Sequence, residues 1–441
     1  MRRALPRAAR VRTGPLPGTR TERYRWVICA LLFFATTVNY LDRQILSLLK
    51  EVLDPRIGWS NEQFGWINAA FQLAYGVGVV GFGWFVDRFG AKLGYAVSIA
   101  AWSLAAAAHG WAGSFGGFLG ARAALGLGES GNFPSAIKAV ALWFSRQERA
   151  LATSLFNAGT NVGALIAPAI VPWMAFRWGW QSPFVVAGAA GLIWLGFWLW
   201  LYESPAEPAP ATLGGAPETR EAQPSVPWVV LLRYRQTWSF VVAKFLTDPV
   251  WWFFLIWLPD FFRQSRGLDI RRSWAYLVTI YSIITVLSIG GGWVTGFLAG
   301  RGWTVTRARK TGMLCFALCA LPILAVTSVG DWWAVLLLGL AGAAHQAWSA
   351  NLFTTVSDMF PQPAVASVVG LGGLAGSAGS FMFPGLTGRL LDHFSRRHQV
   401  TTGYAILFGV CSVSYLLAFL LNHLCAPRFE PLPQTRASSP C

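Results

Sequence analysis

Residues 83–92 read Gly-Trp-Phe-Val-Asp-Arg-Phe-Gly-Ala-Lys, a short charged segment between two long apolar ones. The runs 63–85 and 93–109 on either side contain no Asp, Glu, Lys or Arg. A helix needs about 20 mostly apolar residues to cross the hydrocarbon core of a bilayer. Both runs are near that length, so we interpret them as spanning helices and residues 83–92 as the loop between them.

The same alternation of apolar runs with Gly, Pro and charge clusters continues through the chain and predicts an all-α transmembrane fold with twelve spans. The predicted spans are 26–49, 63–85, 93–109, 115–138, 150–173, 180–202, 237–262, 274–299, 311–329, 332–357, 365–390 and 402–424. A Pro-rich stretch at 204–236 predicts a linker between two halves. The predicted parts are a basic tail (1–25), two six-helix bundles (26–203 and 237–424), the linker and a second tail (425–441).

The composition of the 441 residues excludes several classes of protein. Hydrophobic residues make up 54% and charged residues only 12%, about half the share of a soluble domain. The net charge of +16 does not indicate a nucleic-acid-binding domain. Such a domain concentrates its basic residues on one face, whereas long stretches of this chain carry no charge. Most of the six cysteines lie in apolar runs, which is typical of packing residues and not of metal ligands.

The basic residues predict an orientation in the membrane. With both termini placed in the cytoplasm, 22 of the 35 Lys and Arg residues fall in inner loops and tails and 10 in outer loops. This bias agrees with the positive-inside rule and with an even number of spans. The three that remain inside predicted spans are Arg43, Arg122 and Lys244.

The two halves share sequence features at a nearly constant offset. The segment 83–90 has a counterpart at 296–301, offset by 213 residues, and Pro168 has a counterpart in Pro384, offset by 216. Repeats of this kind are typical of transporters with a central site between two bundles. We therefore expect two similar six-helix bundles around a central cavity.

Residues 83–92 resemble the loop signature of the major facilitator superfamily. Further motifs resemble the anion:cation symporter family, and hexuronate transporters within it: 39–43, 121–129, 233–236, 244–249 and 344–347. The resemblance implies a twelve-helix major facilitator fold. It also implies that Asp87 and Arg88 are gating residues that tie the inner ends of the halves together.

Arg43 and Arg122 are the residues we expect to bind the carboxylate of a substrate. Charged residues inside spans are costly and are functional hypotheses by default. A guanidinium matches a carboxylate through two parallel hydrogen bonds. The alternative is that Arg43 pairs permanently with a buried acid.

Glu129 is the residue we expect to carry a proton, with Asp42 as a second candidate. Glu129 follows Arg122 by seven residues, about two turns along one helix face. Burial favours the neutral form of a carboxyl group and a neighbouring Arg opposes this, so substrate and proton binding are expected to be coupled. The alternative is a static Arg–Glu pair that holds the helix.

Lys244 and Asp248 are spaced i, i+4 before Pro249 and predict an ion pair at a gating kink. His345, in a later span, is either a proton relay or a core histidine. Hydroxyl-rich substrates need neutral polar and aromatic partners. The candidates for substrate binding are Tyr40, Gln72, Tyr75, Asn157, Trp251, His345, Gln346 and Asn351. Further polar or aromatic candidates are Asn39, Asn161, Trp252, Trp348, Ser349, Ser377 and Ser380.

These observations predict a proton-coupled inner-membrane symporter for a sugar acid, with a hexuronate as the first choice. Galactonate, glucarate or tartrate are alternative substrates, and a non-transporting membrane sensor is the alternative class. The expected partners are a small organic anion, protons and the lipid bilayer, with no nucleic acid, in a monomer. No Walker motif or nucleophile elbow occurs in the sequence, so we expect no cofactor and no enzyme activity.

Overall fold

The computed structural model describes residues 19–144, 148–203 and 228–430, and the regular structure in these ranges is helical. The helices are α1 Thr19–Leu48, α2 Lys50–Ile57, α3 Asn61–Ala108, α4 Phe115–Glu129, α5 Asn132–Trp143, α6 Arg149–Trp178, α7 Ser182–Leu201, α8 Trp228–Leu231, α9 Arg235–Arg266, α10 Ile270–Gly300, α11 Val305–Ala320, α12 Asp331–Met359, α13 Gln362–Ser395 and α14 Val400–Cys425. Short 3₁₀ turns follow α3 and α11.

The predicted spans lie on these helices, with three differences. The last part of the predicted span 311–329 lies beyond α11, where a 3₁₀ turn, Leu321–Ala325, follows. Spans two and three are joined in α3, where the backbone breaks at Gly90 with φ of 86°. Glycine suits this position because residues with a Cβ rarely adopt a positive φ. Span four is divided between α4 and α5, which are separated at residues 130–131. By length and composition, seven helical stretches in the described ranges can cross a membrane.

The outer surface of the helices is strongly apolar. Trp111 and Trp200 are each 76% exposed, and many other large hydrophobic side chains are exposed along the helices. A soluble monomer rarely presents such extended apolar surface to water. The exposed side chains are therefore suited to contact with lipid, while the polar side chains gather inside.

The helices pack as two groups with a shared interface. In the first half, α1 packs on α6, and α3 packs on both α4 and α7. In the second half, α9 packs on both α13 and α14, and α10 packs on α12. The halves meet through α3 with α13 and α6 with α10. Gly65 allows the close approach of α3 to α13, because a Cβ there would lie 2.2 Å from the carbonyl oxygen of Pro384.

The predicted tails and linker lie largely outside the described residues. This holds for 1–18 of the first tail, 204–227 of the linker and 431–441 of the second tail. The last part of the predicted linker contains α8, and α9 begins two residues before the predicted boundary at 237. The boundaries of the predicted parts stay predictions.

Candidate functional site

A cavity of about 410 Å³ lies between the two halves. This is the size expected of a site for a small organic molecule. Its lining residues from the first half are Tyr40, Arg43, Gln72, Tyr75, Phe133, Asn157 and Thr160. Its lining residues from the second half are Lys244, Asp248, Trp251, Trp252, His345, Gln346, Ser349, Phe353, Gly373, Gly376, Ser377 and Ser380.

Arg43 lines this cavity and also pairs with a buried acid. Its Nε donates to Oε2 of Glu129 at 2.6 Å, and the two side chains are 4% and 0% exposed. Its guanidinium carbon lies 4.7, 5.0 and 5.4 Å from the ring centres of Tyr40, Tyr75 and Trp252. Aromatic faces stabilise a cation that has been removed from water. Within the described chain, Nη2 of Arg43 has no hydrogen-bond partner.

Arg122 and Asn351, two predicted substrate-binding residues, are not among the described residues that line the cavity. Nη2 of Arg122 donates to the backbone oxygen of Arg43 at 2.8 Å and to Oδ1 of Asn68 at 3.2 Å. Oδ1 of Asn351 accepts a hydrogen bond from Thr295. Arg122 thus holds the backbone at Arg43. Glu129 lies on α4 together with Arg122, but it accepts its hydrogen bond from Arg43 on α1.

The two predicted proton carriers lie behind the cavity wall. Both carboxylate oxygens of Asp42 and Oε1 of Glu129 are buried without a hydrogen-bond partner among the described residues. Asp42 is within electrostatic reach of Glu129, Arg43 and Arg122. A buried carboxylate without a hydrogen-bond partner is costly unless a proton neutralises it.

The second half contributes an ion pair and a ring stack to the cavity. Nζ of Lys244 lies 2.7 Å from Oδ2 of Asp248, as the i, i+4 spacing predicts. The ring of His345 stacks on Trp251 with centres 5.5 Å apart and an angle of 8°. Nδ1 of His345 shares a hydrogen bond of 2.8 Å with the hydroxyl of Tyr415. The stack on Trp251 and the hydrogen bond to Tyr415 therefore fix the orientation of the His345 ring, and the residue still lines the cavity.

Contacts between the halves gather at the end that bears α2. Oδ1 and Oδ2 of Asp392 accept hydrogen bonds from the backbone nitrogens of Asn61 and Glu62, at 2.9 and 2.8 Å. Arg389 also pairs with Glu62 at 2.7 Å. A carboxylate at a helix N-terminus is favoured by the unpaired N–H groups and by the helix dipole. These contacts join the two halves at this end.

A second group of contacts at the same end is a four-residue ion cluster. Lys50 and Asp54 of the first half meet Asp260 and Arg263 of the second half, with Arg263 2.5 Å from Asp54 and Lys50 3.2 Å from Asp260. Asp260 is buried, so its charge depends on these partners. Two positive and two negative side chains make the cluster neutral as a whole.

The predicted gating residues Asp87 and Arg88 lie at the opposite end. Oδ1 of Asp87 is 3.3 Å from Nζ of Lys138 in the same half, and the Asp87 side chain is 83% exposed. Arg88 lies over the rings of Trp84 and Phe89. The contact of these residues with the other half stays a prediction.

The sequence interpretation did not single out five of the lining residues: Phe133, Thr160, Phe353, Gly373 and Gly376. Helical spacing was a usable signal for two of them. Thr160 follows the predicted Asn157 by three residues, and Gly376 lies one turn before Ser380 on α13. The described residues include no group of three or more His, Cys, Asp and Glu placed to hold a metal ion.

Two helical halves that enclose a polar cavity, with apolar outer surfaces, are typical of a polytopic membrane transporter. The matching family and relatives are also membrane transporters and not enzymes. The chain belongs to the Major Facilitator Superfamily, whose sequence profile matches residues 32–384. The predicted family and all-α transmembrane fold are thereby confirmed.

Two relatives and one solved structure illustrate the likeness. The hexuronate transporter of Escherichia coli strain K12 is 30% identical over 409 residues, which cover 90% of this chain and 93% of the relative. The galacturonate transporter of Dickeya chrysanthemi is 31% identical over 258 residues, 56% of this chain and 74% of the relative. The solved structure is that of a bacterial homologue of the human lysosomal transporter Spinster, in an inward-facing and unoccupied conformation. It is 16% identical to this chain and shares its fold with a TM-score of 0.71, over 94% of this chain and 97% of the homologue.

Proposed function

We propose that this chain is a proton-coupled symporter that takes up a hexuronate, such as glucuronate or galacturonate, across the bacterial inner membrane with both termini in the cytoplasm. The observation that carries the proposal is Arg43. It lines the cavity and shares its guanidinium with the buried Glu129. The two relatives named for hexuronate and galacturonate transport support this choice of substrate.

The Arg43–Glu129 pair supplies a coupling mechanism. While Glu129 is ionised, it competes with an incoming carboxylate for Arg43. A proton on Glu129 neutralises this competitor and leaves the guanidinium to the substrate, so proton and anion bind together. Moving one negative charge inward against 100 mV costs about 2.3 kcal/mol, and one accompanying proton removes this cost. Asp42, buried nearby, is a candidate for a second proton.

Neutral polar groups on the cavity wall suit the hydroxyls of a sugar acid. Nε2 of Gln72 and Oγ of Ser380 are buried without hydrogen-bond partners among the described residues, so a ligand hydroxyl would complete them. Asn157 and Gln346 add amide groups from both halves. The stacked Trp251 offers a flat surface for a sugar ring.

Uptake by the purified protein in sealed vesicles tests the proposal. An inward proton gradient should stimulate accumulation of labelled glucuronate, and a proton ionophore should abolish the stimulation. Counterflow without a gradient should continue. Absence of stimulation would exclude proton coupling, and uptake of galactonate or tartrate in preference to both hexuronates would identify another organic-anion transporter. Binding without counterflow would identify a sensor.

A further inference from the structure

One face of α9 lies along the cavity, between the Arg43–Glu129 pair and the Lys244–Asp248 pair. Lys244, Asp248 and Trp252 are spaced i, i+4, i+8, so they share that face, and all three line the cavity. The ring of Trp252 lies 5.4 Å from the guanidinium carbon of Arg43. With a rise of 1.5 Å per residue, Asp248 lies about 6 Å further along the helix axis than Trp252. Arg43, Trp252 and Asp248 line the same cavity, so a ligand held at Arg43 can extend along α9 toward Asp248.

The carboxylate of Asp248 is closely enclosed by its neighbours. Lys244, its partner at 2.7 Å, lies 4.6 Å from the ring centre of Phe353. On the other side, a Cβ at Gly376 would lie 2.2 Å from Oδ2 of Asp248. The absence of a side chain at 376 therefore makes room for the carboxylate at the cavity wall.

We propose that Asp248 is a specificity residue that admits a hydroxyl-bearing end of the sugar acid and rejects a second carboxylate. The inference rests on the proposed function and extends it, because it names monocarboxylic sugar acids as the preferred class over dicarboxylic ones. Asp248 accepts a hydrogen bond from a hydroxyl, whereas a carboxylate at the same place meets a like charge. Specific sites commonly combine attraction for one ligand with repulsion of its competitor.

The charges of the site agree with this selection. Arg43 and Glu129 have opposite charges, as do Lys244 and Asp248. With a proton on Glu129 and a monocarboxylate at Arg43, the four side chains and the ligand together are neutral. A dicarboxylate leaves one uncompensated negative charge in the cavity, and this charge lies beside Asp248. Replacing Asp248 by a neutral residue removes that excess.

Glucuronate and glucarate serve as the two probes, because both carry a carboxylate at C6, and at C1 glucuronate has its anomeric hydroxyl whereas glucarate has a second carboxylate. Inhibition of labelled glucuronate counterflow by each unlabelled acid gives the ratio of their apparent affinities. In Asp248→Asn this ratio should shift toward glucarate by about ten-fold or more, since like-charge repulsion is removed. In Lys244→Gln it should shift toward glucuronate, because Asp248 then lacks its neutralising partner.

Asp358→Asn is the matched control, since Asp358 pairs with Arg309 at 3.2 Å and does not line the cavity among the described residues. Its ratio should equal that of the unaltered protein. If Asp248→Asn fails to fold, the shift in Lys244→Gln decides. A pair that acts only as a gate changes both affinities by the same factor, so an unchanged ratio in both variants overturns the inference. Absence of glucuronate counterflow and binding in the unaltered protein overturns the proposed function as well.

Discussion

Nε of Arg43 on α1 and Oε2 of Glu129 at the end of α4 are 2.6 Å apart, and both side chains are almost fully buried. Each side chain is thus the main counter-charge of the other. Breaking a buried pair by changing one partner is costly, because the remaining charge is left uncompensated. The pair is therefore a position where protonation of one group changes the availability of the other.

Glu129→Gln should abolish uptake driven by a proton gradient and retain exchange. Glutamine imitates the protonated acid, leaves Arg43 available to the substrate and cannot release a proton. Counterflow and gradient-driven uptake of labelled glucuronate, measured in the same vesicles, separate the two activities. Glu203→Gln, at an exposed acid beyond α7, is the control. Loss of both activities in a folded Glu129→Gln protein would show that the acid is structural.

Arg43→Lys should weaken glucuronate binding by about ten-fold or more, because a lost hydrogen bond to a charged group is worth about 1.5–3 kcal/mol. Lysine keeps the charge but lacks the planar guanidinium, which in Arg43 lies close to the rings of Tyr40 and Tyr75. Equilibrium binding of labelled glucuronate to the purified protein measures the effect. An unchanged affinity would remove Arg43 from the substrate site.

Asp392→Ala should loosen closure at the end of the cavity that bears α2. The backbone nitrogens of Asn61 and Glu62 then lose the carboxylate of the other half that accepts their hydrogen bonds. We expect the free energy that favours contact between the halves to fall by about 2 kcal/mol. Alkylation of a cysteine introduced at Ser47, a buried residue at this end, should become faster. Asp331→Ala is the control, because Asp331 pairs with Arg266 in its own half. Equal alkylation rates in both variants would contradict a closing role for Asp392.

Gly376→Ala should lower glucuronate uptake several-fold, because the added methyl group displaces the Asp248 carboxylate from Lys244. Overpacking of this kind costs about 1–3 kcal/mol. Gly370→Ala on the same helix is the control, since its methyl group would only touch Trp228 at 3.8 Å. Adding Asp248→Asn to Gly376→Ala should give a combined effect smaller than the sum, as expected of residues in contact. Additive effects would show that the methyl group acts elsewhere.

The sequence alone determined the class of fold. Apolar runs of membrane-spanning length, the charged segment 83–92 and the repeat offsets each reflect local requirements of the chain: a bilayer demands about 20 apolar residues per helix, and loops at its surface must be polar. The same reasoning predicted roles for Arg43, Lys244 and Asp248, which line the cavity, because a charge inside an apolar span is visible without knowing its neighbours.

Only the tertiary structure decided which of those charges meet. The spacing of Arg122 and Glu129 along one helix suggested a pair, yet Glu129 bonds to Arg43, 86 residues away in sequence, and Arg122 bonds to the backbone of Arg43. The cavity likewise brings α1 and α9 together and leaves Asn351 outside its described lining. Side-chain pairing depends on how helices cross and rotate against one another. That packing is settled jointly by both halves, and no single span contains the information.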